Sequence, residues 1–130
     1  MIYFSPLTVL CDSPANYRWQ PGVEFYRALP TVWDESVVLS AEVGKQIVLA
    51  RRSGERWYLA AMNGDEPLTV RIPLSFLGTG AWTLRSFADG PDSARRPELV
   101  VESSRPTKAA ETLSVSLVPA GGFAAVLQRP

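Results

Sequence analysis

The sequence predicts a mainly β protein, an antiparallel β-sandwich of about eight strands with a short helical N-terminal extension. Apolar and polar residues alternate over several short segments, most regularly from Leu113 to Leu117. Clusters of Gly, Pro, Asn and Asp separate these segments at regular spacing, as in sandwiches and barrels. Before Pro30 the pattern changes, and helical caps and helical spacing replace the alternation.

The helical extension covers residues 1–29. Ser5-Pro6 and Ser13-Pro14 each predict a helix start, because serine caps free backbone N–H groups and proline suits the first helical position. Residues 21–29 predict another short helix. The residues expected on one side of that helix are Val23, Tyr26 and Leu29.

Eight segments after Pro30 are predicted to be strands. Ser53-Gly54 indicates a tight hairpin turn between the second and third of them. Residues 103–111 are polar and contain a proline, which predicts a mobile loop. The predicted strands are Trp33–Leu39, Ile47–Arg51, Trp57–Met62, Leu68–Ile72, Trp82–Ser86, Leu99–Glu102, Leu113–Leu117 and Phe123–Leu127.

The composition excludes several classes of function. The 130 residues suit one domain with one core, and the net charge of +0 argues against nucleic acid or a membrane as a partner. The chain has no histidine, so Ser-His-Asp and Cys-His catalysis are excluded. The lone Cys11 allows no internal disulfide, and the sequence before Pro14 lacks the basic region and cleavage site of a signal peptide.

Asp34 and Glu35 follow Trp33 and raise the hypothesis of a sugar-cleaving site, in which two carboxylates flank the scissile bond. If the segment is a strand, consecutive side chains point to opposite faces, so the two acids cannot face one bond. We therefore expect both to be solvated or paired with arginine. The segment 89–92 could bind calcium, but one short acidic loop is a weak indication, and no catalytic or metal-binding residue is predicted.

The tryptophans allow two interpretations. Aromatic rings exposed on a sheet stack on sugars, whereas Trp57 and Trp82, at strand positions, are expected in the core. Trp19 and Trp33 lie near the change from helical to strand pattern and are predicted to contact other parts of the protein.

Three motifs, in this order and spacing, resemble the C-terminal end of glycoside hydrolase family 97, a family of bacterial α-glucosidases and α-galactosidases. The resemblance covers essentially the whole chain. Its most specific parts are "PTVWDE", "VLARRSGERWYLAAMNG" and "PLSFLG".

The resemblance implies an architecture and a role. The family has an N-terminal β super-sandwich, a central (β/α)8 catalytic barrel and a C-terminal β-sandwich. Residues 1–29 then resemble the end of the barrel, and residues 30–130 the C-terminal sandwich. The family's catalytic glutamates and calcium ligands lie upstream, so no such residue is carried over, and calcium would belong to the missing catalytic domain. A full-length member would be exported or periplasmic.

Two hypotheses of function follow, and a third is remote. The first is a non-catalytic accessory domain, present as a fragment or truncated gene product, that buttresses the catalytic barrel. Its partners would be the barrel or, through the helical segment, a second copy. The alternative is a carbohydrate-binding module, and the remote third is a small hydrolase using Asp34 or Glu35. The candidate interface residues are Leu7, Leu10, Trp19 and Trp33, and the candidate sugar contacts are Tyr26, Trp33, Trp57 and Tyr58.

Overall fold

The computed structural model describes residues 1–3, 12–20 and 22–130 and confirms the mainly β architecture. Within these residues, two short helices precede eight strands, all of which were predicted to within a few residues at each end, apart from the sixth. The elements are α1 (Pro14–Tyr17), α2 (Val23–Ala28), β1 (Glu35–Glu42), β2 (Gln46–Ser53), β3 (Arg56–Asn63), β4 (Leu68–Pro73), β5 (Trp82–Asp89), β6 (Val100–Thr107), β7 (Thr112–Leu117) and β8 (Gly122–Gln128).

The strands form two sheets. The larger sheet has the order β1-β2-β3-β8-β5-β6, and β4 pairs with β7 in the smaller one. Every pairing is antiparallel. The predicted hairpin between β2 and β3 is confirmed, with Gly54 at φ 58° in the turn, a backbone conformation that glycine adopts without steric cost.

The main core lies between the two sheets. One face of each strand supplies apolar side chains, as the alternating burial of β4 and β7 shows. The predicted core tryptophans Trp57 and Trp82 are both buried here. The largest fully buried side chains are Leu59, Ile72, Leu74, Leu127 and Val48.

The prediction of a loop over residues 103–111 was wrong for its first half. Residues 103–107 continue β6, which pairs with β5 from Val100↔Asp89 to Thr107↔Trp82. The segment lacks apolar alternation because seven of its eight residues are exposed, so packing does not require apolar side chains there.

The predicted cap at Ser13 is confirmed, the predicted helix start at Ser5-Pro6 lies outside the described residues, and the predicted face of α2 was wrong. Ser13 caps α1, where its Oγ accepts a hydrogen bond from the Ala15 N–H. In α2 the buried residue is Phe25, whereas Tyr26, which we expected on the packed side, is 51% exposed. A helix of six residues has too few turns for spacing alone to identify its buried face.

Candidate functional site

A second apolar cluster lies on the outer face of the larger sheet, away from the main core. We call it the outer-face cluster and define it by three buried aromatic residues, Phe25, Tyr58 and Phe87. Phe25 comes from α2, whereas Tyr58 and Phe87 come from β3 and β5. The Phe25 and Phe87 ring centroids are 5.6 Å apart with a tilted geometry. The cluster therefore packs the helical extension against the sandwich.

Tyr58 adds a polar contact to this packing. Its hydroxyl donates a hydrogen bond of 2.9 Å to the carbonyl oxygen of Ala28, the last residue of α2. The bond satisfies a carbonyl at the end of α2, which lacks a partner within the helix. Tyr58 thus holds the end of α2 to the sheet by both its ring and its hydroxyl.

Trp33 lies at the margin of the outer-face cluster, between the helical extension and β1. Its ring meets Tyr58 edge-on at 5.3 Å, and the Arg51 guanidinium lies 5.5 Å from its ring centroid. The residue is partly buried by these contacts. It lies at the junction of the helical extension and the sandwich, and its role at an interface with another domain stays a prediction.

The other predicted interface residues are not brought together by the structure. Trp19 is 91% exposed and contributes nothing to the outer-face cluster. Leu7 and Leu10 lie outside the described residues.

The four predicted sugar contacts also separate. Trp57 and Tyr58 are 5% and 3% exposed, so neither ring offers an open face to a sugar. Trp57 packs against Phe76 in the main core, with ring centroids 4.8 Å apart. Strand alternation accounts for both burials, because the two faces of β3 are covered by different layers. Tyr26 remains half-exposed and Trp33 is partly buried.

Asp34 and Glu35 meet at one arginine. Arg52 approaches Asp34 Oδ2 at 3.4 Å and Glu35 Oε2 at 3.3 Å. Asp34 also accepts a 2.7 Å hydrogen bond from the Gly54 N–H at the hairpin turn. The expectation that the acids point apart was wrong, because β1 begins only at Glu35 and Asp34 does not follow the strand alternation. The expected pairing with arginine is confirmed.

Asp89, the last residue of β5, accepts hydrogen bonds from backbone N–H groups. Its Oδ2 accepts hydrogen bonds from the N–H groups of Val118 at 3.4 Å and Gly122 at 3.0 Å, and so fixes the turn between β7 and β8. Over the described ranges, no group of three or more His, Cys, Asp or Glu side chains could hold a metal ion.

Two glutamates have a shifted pKa, and both shifts are downward. A backbone hydrogen bond and the side chain of Arg96 lower the pKa of Glu98. Hydrogen bonds from Arg105 and Thr107 lower the pKa of Glu111. A general acid in glycoside hydrolysis requires a raised pKa, so neither glutamate suits that role.

Three residues of these contacts were not singled out by the sequence. Phe25 was overlooked because the neighbouring Tyr26 fits the predicted helical spacing with Val23 and Leu29. Phe87 lies just past the predicted end of its strand at Ser86. Asn63 lies just past the predicted end of its strand at Met62, yet it is 7% exposed and binds three backbone groups. Phe87 and Asn63 were identifiable only as neighbours of predicted strand ends, and that position does not indicate burial.

The described residues contain no helix long and apolar enough to cross a membrane. A similar fold occurs within a larger enzyme of another kind. A β-porphyranase of family 86 from Bacteroides plebeius matches 85% of the chain with a TM-score of 0.51 at 21% identity, which shows similarity of fold alone.

Closer similarity is found to enzymes of family 97. A family 97 enzyme from Pseudoalteromonas sp. strain K8, solved with acarbose, matches 90% of this chain and 19% of its own, with a TM-score of 0.85 and 30% identity. The retaining alpha-galactosidase of Bacteroides thetaiotaomicron is 38% identical over 125 residues, which are 95% of this chain and 19% of that protein. A probable retaining alpha-galactosidase of Streptomyces bingchenggensis is 35% identical over 97% of this chain and 19% of its own length.

This chain therefore spans about a fifth of the length of the curated relatives it matches. The family model described as "Glycosyl-hydrolase 97 C-terminal, oligomerisation" matches residues 32–128. That range contains all eight strands of the described structure. The chain belongs to the glycoside hydrolase 97 C-terminal domain family.

Proposed function

We propose that this chain is a non-catalytic accessory β-sandwich domain of a family 97-like α-glucosidase or α-galactosidase, and that it buttresses the catalytic barrel. The observation that carries the proposal is the outer-face cluster. Residues 1–29 would be the end of the barrel, and Phe25 and Tyr58 would join that end to the sandwich. The family match from residue 32 onward supports a boundary near Pro30.

The character of the contact suits a permanent connection between domains. Phe25 and Tyr58 are 9% and 3% exposed, and apolar burial of this kind is the main source of stability in domain packing. The Tyr58 hydrogen bond to Ala28 adds direction to the contact. A helix held in this way limits the movement of the sandwich relative to whatever precedes it.

The carboxylates supply no competing catalytic arrangement. Asp34 and Glu35 share Arg52, and their side chains are 49% and 48% exposed, so they do not flank an enclosed cleft as a pair of catalytic carboxylates does. We expect the purified chain to give no turnover of aryl α-galactosides or α-glucosides. Any turnover intrinsic to the chain would overturn the non-catalytic role. If that turnover persists in the Glu35→Gln variant, it would also count against Glu35 as the catalytic residue of the small-hydrolase hypothesis.

The buttress is tested in a full-length enzyme. The matching C-terminal segment of the Bacteroides thetaiotaomicron relative is exchanged for this chain, and thermal unfolding is compared with that of the enzyme lacking the segment. We expect the exchanged enzyme to unfold at the higher temperature. Phe25→Ala in the exchanged segment should remove part of the gain, whereas Tyr26→Ala should not. Equal midpoints for all four enzymes would refute the buttress.

One observation favours the carbohydrate-binding alternative. A cavity of ≈ 480 Å³ lies between α1 and α2, and its lining includes Tyr17, Tyr26, Arg18 and Arg27. Tyrosine rings beside charged groups suit a sugar, which presents an apolar face and hydroxyls. Calorimetry with maltooligosaccharides tests it. Heat of binding that disappears in Tyr26→Ala would support the alternative, and no heat would exclude it.

Self-association through the helical extension is a further proposal about partners, supported by the exposed Trp19. Exposed aromatic residues are enriched at protein interfaces. Sedimentation of wild type and Trp19→Ser tests this surface. A dimer that is lost in the variant supports it, and a monomer at all concentrations counts against it.

A further inference from the structure

Strand β6 forms one border of the larger sheet. In the part of the chain that the structure describes, β6 pairs with β5 alone, and its other side borders no further strand. Seven of its eight residues are exposed, including Val100 at 37% and Val101 at 49%. A strand edge of this length is a template for pairing with another strand.

The direction of the β6 backbone groups follows from its pairing. The Gly90 N–H donates to the carbonyl of Leu99, which makes this opposed pair a hydrogen-bonded one. Such pairs alternate along an antiparallel ladder. In the continuous register of β5 and β6, residues 101, 103, 105 and 107 therefore bond to β5. The outward N–H and C=O groups belong to Val100, Glu102 and Ser104, and Pro106 presents only a carbonyl.

The opposite border of the sheet is protected, whereas β6 is less so. Strand β1 carries a register shift between Val38 and Ser40, and a bulge of this kind disrupts an edge ladder. Its two ends are acidic, at Glu35 and Glu42. On β6 the protecting features are the charges of Glu102 and Arg105 and the missing N–H at Pro106. The outward N–H groups of Val100, Glu102 and Ser104 remain available to a partner strand.

We propose that β6 is a dimerisation edge, at which it pairs antiparallel with β6 of a second copy about a two-fold axis and extends the sheet to twelve strands. We propose a second copy of this chain as the partner because the name of the matching domain family includes oligomerisation. The inference therefore rests on the domain assignment above. The proposal names the strand and the register, which that description does not.

The register follows from symmetry and charge. A two-fold axis that pairs identical antiparallel strands stands perpendicular to the sheet, so each residue opposes one on the same face. An axis at Glu102 would set two glutamates directly opposite, and an axis at Arg105 two arginines, both unfavourable. An axis at Ser104 would oppose Glu102 to Pro106, which has no N–H, so the central pairs would lose ladder bonds. An axis at Ser103 avoids like charges and retains the most backbone bonds.

The Ser103 register satisfies the outward groups of both strands. Glu102 exchanges two backbone bonds with Ser104 of the second copy, and the symmetric pair does the same. The Val100 N–H donates one hydrogen bond to the carbonyl of Pro106 of the second copy, and the symmetry-related pair forms the same bond. Glu102 of each copy already forms an ion pair with Arg85 of its own β5, so the register brings no unpaired carboxylate to the seam. The arrangement is self-complementary in backbone hydrogen bonds and opposes no like charges.

The first test changes one outward N–H. Ser104→Pro removes a group that faces away from β5, so the fold should persist, as circular dichroism can verify. By light scattering, wild type should approach twice the 14.3 kDa chain mass as concentration rises, and Ser104→Pro should associate at least tenfold more weakly. Ser104→Ala keeps the N–H and should behave as wild type. A wild-type monomer throughout, or equal association of all three, would overturn the proposal.

The second test reads the register and does not depend on the proline variant folding. In a Cys11→Ser background, Ser103→Cys places two thiols across the axis. The Cα atoms of such a non-hydrogen-bonded pair lie about 4.5 Å apart, within the range for a disulfide. Val101→Cys is the matched control, because its two thiols would lie roughly 14 Å apart along the strands.

Oxidation should give a covalent dimer from Ser103→Cys and far less from Val101→Cys. Equal cross-linking of the two, or none from Ser103→Cys, would overturn the register. If the dimer is lost in Trp19→Ser and kept in Ser104→Pro, the interface lies on the helical extension, and the proposal that β6 forms the dimer is overturned. None of these results depends on glycosidase assays or on the exchanged enzyme, so the dimer and the buttress can fail separately.

Discussion

Phe25→Ala is the sharpest perturbation of the junction between the helical extension and the sandwich. Phe25 is 9% exposed, and its ring packs 5.6 Å from that of Phe87. Removing the ring leaves a gap between α2 and the sheet, with no change of backbone or charge. The matched control is Tyr26→Ala, which removes a ring of similar size from the next residue of the same helix, where the side chain is 51% exposed.

The expected loss of stability follows from the contacts. Burying a phenylalanine side chain contributes about 1.5–3 kcal/mol. An aromatic pair adds about 0.5–1.5 kcal/mol beyond burial. We expect Phe25→Ala to lower the free energy of unfolding by about 2–4 kcal/mol, the lower end applying if α2 settles onto the sheet. Tyr26→Ala should cost about 0.5 kcal/mol or less, as surface substitutions do.

Urea denaturation followed by tryptophan fluorescence measures both losses. Tryptic cleavage adds a local readout, because Arg27 lies in α2 with its side chain 68% exposed. Phe25→Ala should accelerate cleavage after Arg27, since a released helix admits the protease. A loss for Tyr26→Ala equal to that for Phe25→Ala, with equal cleavage, would refute the assignment of Phe25 as the anchor.

Three more changes test the loops and the pH response. Asn63→Ala should cost about 2–4 kcal/mol in urea denaturation, because two carbonyls and one N–H lose a buried partner. Gly121→Ala should cost about 1–3 kcal/mol in the same assay, because a Cβ there would meet the carbonyl oxygen of Val118 at 2.6 Å. The pKa of Glu111 is lowered by its bonds to Arg105 and Thr107, so its contribution is present above the ordinary value of 4.5 and is lost as pH falls through the lower folded value. Acid denaturation of Glu111→Gln should lack that part of the decline.

The sequence predicted most of the fold because alternation and turns are local signals. Leu113 to Leu117 alternate in the sequence, and the structure buries Leu113, Val115 and Leu117 as expected. Residues 103–107 of β6 escaped this reasoning because β6 lies at a sheet border, where pairing comes from one side and burial does not select apolar residues. A strand held mainly by backbone hydrogen bonds leaves little trace in hydrophobic pattern.

The candidate site was harder to predict, because it depends on contacts between distant parts of the chain. Trp33 was predicted as an interface residue from its position alone, and the structure shows it in contact with Tyr58 of the same chain. Phe25 and Phe87 are 62 positions apart by their numbers, and neither has a local feature that marks the other as a neighbour. Asp34 was misjudged because β1 begins at Glu35 and not at Trp33, so Asp34 lies outside the strand and its alternation.

The two faces of the larger sheet explain how one small domain could serve two contacts. The inner face is committed to the main core, and the outer face holds α2 through Phe25, Tyr58 and Phe87. The proposed barrel contact would therefore use the outer face, whereas the proposed dimer would use the β6 edge at right angles to it. Phe87 links them, because it lies in the outer-face cluster and opposes Glu102 of β6. If both contacts form, a change at Phe87 should weaken the helix packing and disturb the edge together, whereas Phe25→Ala should affect the helix packing alone.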